Sequence, residues 1–94
     1  MDIEELEPGQ DDFELEATVK KIHRPRAVST KYGQKLLTTA VLEDTTGEIE
    51  TVLWEEQIDD LEEGDDVRVE GCYVRQWVDH LQLNIPRSGE IEQV

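Results

Sequence analysis

Residues 49–64 read IETVLWEEQIDDLEEG, and a change of period inside this stretch decides the fold. Ile49, Thr51 and Leu53 alternate with Glu50, Val52 and Trp54, the two-residue period of a strand with one buried face. From Glu55 to Glu63 the spacing turns helical, with Ile58 and Leu61 three apart on one face, and Gly64 supplies a stop. A strand running into a short helix is therefore expected at mid-chain.

On the N-terminal side, Phe13, Leu15, Ala17 and Val19 alternate with Glu14, Glu16, Thr18 and Lys20, a half-buried first strand. Ile22 breaks the parity, which predicts a bulge or a barrel corner. Arg24-Pro25-Arg26 leaves the strand, and Lys31-Tyr32-Gly33-Gln34 reads as a flexible loop tip. Leu36 to Leu42 is a second strand, apolar on both sides and rich in Thr and β-branched residues, joined to the third by a tight turn at 43–48. Asp2 to Leu6 suits a helical turn closed by Pro8-Gly9.

On the C-terminal side, Asp66 to Val78 forms a long fourth strand and Leu81 to Ile85 a fifth, connected through Asp79-His80. Three strands, a helix and two strands is the order of an all-β, five-stranded Greek-key OB-fold barrel with one short helix between strands 3 and 4. SH3-like barrels have a similar strand order but lack that helix. The expected organisation is one domain over 1–94, with an N-terminal extension at 1–10, the barrel at 11–86 and a tail at 87–94. Ile91 and Val94 give that tail apolar side chains able to pack.

Charge is distributed unevenly. The chain has 24 acidic and 9 basic side chains, a net charge of −15. Yet Ala17 to Leu42 holds Lys20, Lys21, Arg24, Arg26, Lys31 and Lys35 with no carboxylate, and elsewhere only Arg68, Arg75 and Arg87 are basic. A positive strip inside an acidic envelope suggests a polyanion site; the plainer reading is a strand and loop whose charges merely solvate it. The dispersed carboxylates suggest a halophilic, archaeal source, since at about 1 M salt a Debye length of about 3 Å screens their repulsion.

Composition excludes several classes. Cys72 is the one cysteine, so no internal disulfide forms, and beside His23 and His80 it makes no zinc set; no metal or cofactor is expected. Cys72 itself suits a buried, reduced thiol. The N-terminus lacks the basic-then-apolar order of a signal peptide, and no apolar run reaches membrane length, so a cytoplasmic protein without membrane contact is expected. Ser29 with Lys31, or His23 near hydroxyls, makes no specific nucleophile pattern, and the paired carboxylates lack calcium-loop spacing. No enzyme is expected.

Parity puts Trp54 on the side of Glu48 and Glu50, either on an open face or under the following helix. Tyr73 and Trp77 share a side with Arg75 between them. Continued alternation from Val67 and Val69 would bury all three; a bend near Gly71 would turn them outward. Outward aromatics flanking an arginine make a platform for nucleobases, because every base offers a π-face. Burial of Trp54, Tyr73 and Trp77 in the core is the competing reading.

Three runs resemble the archaeal single-stranded DNA-binding proteins of the replication protein A type. They are Lys31-Tyr32-Gly33-Gln34-Lys35, then Leu42-Glu43-Asp44-Thr45-Thr46-Gly47-Glu48-Ile49, then Val52-Leu53-Trp54. Gly64-Asp65-Asp66-Val67, Gly71-Cys72-Tyr73-Val74 and Leu81-Gln82-Leu83-Asn84 continue the likeness, from about Leu6 to Val94. The resemblance implies a strand crossing the face of the second and third barrel strands between the loops after strands one and four. By that resemblance Trp54 matches a base-stacking tryptophan, Tyr73 and Trp77 fall at further stacking positions, and Lys31 and Lys35 lie in the first binding loop.

This chain is more acidic than typical members and its loop after strand four is short; the long tail some members use to recruit partners is not expected here. A single barrel covers few nucleotides, which suits a multi-barrel protein or an assembly with other OB subunits or domains. The expectation is a monomeric, non-catalytic barrel binding single-stranded DNA without strong sequence preference in replication, repair or recombination. Trp54, Tyr73 and Trp77 would stack bases; Lys31, Lys35, Arg24, Arg26 and Arg75, with Tyr32 beside them, would meet the backbone. A protein-interaction OB domain of a replication assembly and an RNA- or tRNA-binding barrel remain alternatives.

Overall fold

The computed structural model of the chain describes residues 2–54, 57, 58, 61–86 and 88–94, with Trp77 described by its backbone. The described residues form seven strands: β1 (Asp11–Ile22), β2 (Arg26–Thr30), β3 (Gly33–Glu43), β4 (Glu48–Trp54), β5 (Asp66–Trp77), β6 (His80–Asn84) and β7 (Glu90–Gln93). Hydrogen bonding runs β1-β3-β4-β6-β5, and β5 pairs back with β1, closing a five-stranded barrel. The β4–β6 pairing is parallel and the others antiparallel. These five strands are the five expected from the alternation. Closure leaves the barrel proper without an open edge.

Alternation fills the interior. Leu15, Val19, Ala40, Leu42, Leu53, Val67, Val69, Cys72, Val74 and Leu83 are buried in one cluster. Burial pushes the Cys72 thiol up to about 11, so it stays protonated as an apolar core group. The helix expected over 55–63 falls largely outside the described residues; Gln57 and Ile58 are helical. Ile58 packs against the core and Leu61 is buried in it, as their spacing predicts.

Both expected parity changes occur. In β1 the register to β3 slips between Val19 and Lys21, so Lys20 and Lys21 both face solvent. In β5 the inward residues are Val67 and Val69 before Gly71, then Cys72 and Val74 after it. Gly71 sits at φ +66, a left-handed conformation that glycine adopts without the Cβ penalty. This bulge turns Tyr73 and Arg75 to the outer surface.

Two strands have no counterpart in the alternation. β2 pairs with the start of β3 from Arg26↔Leu37 to Thr30↔Gly33, so the segment read as a loop is a hairpin. Its tip is closed by Gly33 at φ +105 and by Thr30 Oγ1, which donates to Gly33 O (2.7 Å) and accepts from Tyr32 N (3.1 Å). The expected tail holds β7, paired with β5 from Val67↔Gln93 to Glu70↔Glu90, with Ile91 against the core. Gly89 enters that strand by crossing the β5 bulge closely. A Cβ on it would lie 2.7 Å from Glu70 O and 3.0 Å from Gly71 O. Gly89→Ala must therefore displace backbone, and denaturant unfolding should show a loss of about 1–3 kcal/mol.

At the opposite end, Ile3–Glu5 forms a 3-10 turn within the stretch expected to be helical. Asp44 ties it down: Oδ2 accepts from Ile3 N, while Oδ1 accepts from Thr46 N, Thr46 Oγ1 and Gly47 N. Burial raises the Asp44 pKa, but these hydrogen bonds outweigh it and hold the carboxyl below its ordinary value. The Asp-x-Thr-Gly turn thus shapes the β3–β4 connection and anchors the N-terminal segment.

Candidate nucleic-acid interface

Directly opposed residues on paired strands share a face. Arg26 on β2 opposes Leu37 on β3, which opposes Trp54 on β4. Inward Thr38, Ala40, Thr51 and Leu53 are buried, so this row lies on the outer surface. Trp54 is 41% exposed. The next row toward the hairpin tip pairs Lys35 with Val28; the row on the other side pairs Thr39 with Val52. Beyond that, Val41, Glu50, Gln82 and Arg75 form one line across β3, β4, β6 and β5. Trp54 and Arg75 therefore stand on one curved sheet surface, separated by the Glu50–Gln82 step.

Most of the sequence-predicted residues meet there. Arg26, Lys35 and Trp54 are clustered, Arg24 precedes β2, and Lys31 and Tyr32 form the hairpin tip, with Tyr32 70% exposed. Lys31 Nζ lies 5.2 Å from the Tyr32 ring centroid, a cation–π pair. Among the described residues no carboxylate ion-pairs with Lys21, Arg24, Arg26, Lys31, Lys35 or Arg75. Lys20 is the exception within the basic strip, held 2.7 Å from Glu48, a bond that raises its pKa. Tyr73 is half-buried on the outward side, opposite Asn84 and Asp11. Trp77 opposes His80 through the backbone, while its side chain lies outside the description.

Sequence parity did not single out Leu37, Gln82 or Asn84, although all three occupy outward positions in strands it identified. Leu37 was obscured because Leu36 and Leu37 together read as a strand apolar on both faces. The outward face is divided in charge. Its hairpin end is basic, and its other end carries Glu43, Glu48 and Glu50.

The two-residue turn after β5 adds a titrating group. Val78 adopts φ +54, strained for a β-branched residue, and is 88% exposed. His80 Nδ1 lies 3.1 Å from Asp79 Oδ1 and Nε2 lies 3.8 Å from Glu50 Oε1. The hydrogen bond to Asp79 and the charge of Glu50 raise the His80 pKa. A raised folded-state pKa means this contact is fully present below about 6.5, the unfolded value, and is lost as pH rises through the folded pKa. An NMR titration should find His80 above the ordinary histidine value, and Asp79→Asn should move it down.

A closed Greek-key barrel that gathers basic side chains and an exposed indole on one sheet face is a nucleic-acid-binding module of the OB class. Comparison with known proteins narrows the class. Residues 7–93 match the family described as single-stranded DNA binding protein Ssb-like, OB fold, and the chain belongs to that family. The single-stranded DNA binding protein Ssb of Saccharolobus solfataricus is 24% identical over 88 residues, covering 94% of this chain and 60% of that protein. This chain thus spans less than two thirds of that relative's length.

Solved structures agree. The replication factor A related protein from Methanobacterium thermoautotrophicum superposes with a TM-score of 0.82 at 26% identity, covering 100% of this chain and 89% of that one. The second OB-fold domain of replication protein A from Methanococcus maripaludis gives 0.79 at 28% identity, with 100% and 93% covered. Among the described residues no helix is long and apolar enough to cross a membrane.

Proposed function

We propose that this barrel binds single-stranded DNA without strong sequence preference, as a non-catalytic module in replication, repair or recombination. The Arg26–Leu37–Trp54 row carries the reading: an exposed indole and an apolar neighbour abut a cation, at the base of a hairpin free of carboxylates. Trp54 would stack one base, with Tyr73 and Trp77 offering further platforms. Arg24, Arg26, Lys31, Lys35 and Arg75 would face the backbone. Counterion release on single strands falls with a log–log slope of about −0.7 per neutralised phosphate, whereas stacking of about 1–3 kcal/mol per base releases no ions. A residual affinity in concentrated salt is the signature of stacking.

Titration of tryptophan fluorescence with oligo-dT, oligo-rU and duplex DNA, at low and molar salt, tests this. Quenching by oligo-dT that survives molar salt, with little response to duplex, supports the proposal. Stronger quenching by oligo-rU replaces it with an RNA-binding reading. The acidic end of the outward face, at Glu43, Glu48 and Glu50, favours a second reading in which the aromatic surface docks another OB subunit. A flat response to every nucleic acid would leave that one standing.

A further inference from the structure

We propose that the groove where β4 and β6 part company receives one nucleobase, and that Glu50 reads the amino group on its edge. This rests on the single-stranded DNA reading and refines it: one position of the footprint discriminates between bases, while the stacking platforms bind the rest of the strand without preference. Among the described residues β4 and β6 pair at Glu50↔Gln82 and Thr51↔Leu83. Below that junction a recess of about 340 Å³ opens to solvent between the strands. Its apolar lining is Ile3, Val41, Ile49 and Leu81; Glu50, His80 and Glu48, the last held by Lys20, also face it.

A base needs apolar walls and a few placed polar groups. The recess offers both. It borders the Val41–Glu50–Gln82–Arg75 line on the side away from Trp54, so a strand running from Trp54 to Arg75 reaches its rim at Glu50, from where one base can turn into it. A carboxylate there disfavours phosphate, so what enters is a base rather than the backbone.

The chemistry of Glu50 selects among bases. Its Oε1 accepts from Gln82 Nε2 at 3.0 Å and is the atom nearest His80. Its Oε2 has no hydrogen bond among the described residues. Gln82 is itself held from behind, since Asn84 Nδ2 lies 3.4 Å from Gln82 Oε1. This ladder fixes one carboxylate oxygen and leaves the other as an acceptor without a donor. Cytosine presents an N4 amino donor where thymine presents the O4 carbonyl, an acceptor that a carboxylate repels. Adenine and guanine also carry amino donors, but their unequal stacking obscures the comparison. The two pyrimidines are alike in size and have opposite hydrogen-bond character at position 4, with the thymine C5-methyl and N3–H the remaining differences.

Affinities for oligo-dC and oligo-dT of equal length, measured by anisotropy at fixed salt and neutral pH, provide the test. The readout is the dC-to-dT affinity ratio, because removing a charge from this face alters affinity for every strand together. Glu50→Gln offers an amide that donates as well as accepts, and the ratio should fall about tenfold, the scale of one hydrogen bond to a charged group. Glu50→Asp keeps the charge but withdraws it by one methylene, and should lose the ratio too. Trp54→Ala should weaken both oligonucleotides alike and leave the ratio in place. A ratio unchanged in both Glu50 variants overturns the proposal while single-stranded DNA binding stands. Failure of the unsubstituted protein to bind either oligonucleotide overturns both.

Discussion

Trp54→Ala is expected to weaken binding of single-stranded oligonucleotides by about 1–3 kcal/mol, or roughly 5- to 150-fold, at any salt concentration. The indole is 41% exposed and stands outside the buried cluster, so its truncation removes stacking area without opening a core cavity. Thermal unfolding should shift by little beside that loss. Lys35→Ala should behave differently: its effect is large at low salt and shrinks toward molar salt, because it removes a phosphate contact whose strength comes from counterion release. Anisotropy titrations of both variants across a salt series separate the two. If Trp54→Ala binds as the unsubstituted protein does, the indole is not a stacking platform and the proposed interface is wrong.

Much of the barrel was legible because burial imposes strict alternation. In β1, β4 and β5 the buried residues are those the period marks, and both register changes show as broken parity, at Ile22 and at Gly71. β2 and β7 were not legible, for one physical reason. Neither is held chiefly by a buried face: β2 is fixed by backbone bonds to β3, and β7 carries Glu90 and Glu92 around a single packed residue, Ile91. A strand defined by its partner's backbone leaves little trace in its own side chains.

The site was half legible. Residue types and the carboxylate gap pointed to the hairpin, but the row Arg26–Leu37–Trp54 depends on register across three strands, which only the closed sheet supplies. Glu50 illustrates the same limit. Along β4 it is one more surface acid; only the parallel β4–β6 junction sets it against Gln82 and beside an apolar recess.

Leu83→Ala should be the most damaging single truncation, with a loss of about 2–5 kcal/mol. Leu83 is fully buried on β6, opposite Val74 on β5 and Thr51 on β4, at the narrow junction that closes the barrel. Thr51 Oγ1 donates to Leu83 O there, at 3.0 Å. A cavity at this point loosens the two-pair contact between β4 and β6, and nothing beyond it on β4 can compensate. For a domain of this size about 1 kcal/mol corresponds to roughly 4–8 °C, so the melting temperature should fall by on the order of 10–30 °C. The net charge of −15 lowers the starting stability at low ionic strength, where self-repulsion opposes compaction. Molar salt should therefore raise the melting temperatures of the variant and the unsubstituted protein alike and leave the difference between them, an uncharged cavity term, in place. Circular dichroism melts of Leu83→Ala and of the outward Leu37→Ala, each at low and molar salt, provide the measurement. Equal drops for the two would mean that the β4–β6 junction is not what holds the barrel shut.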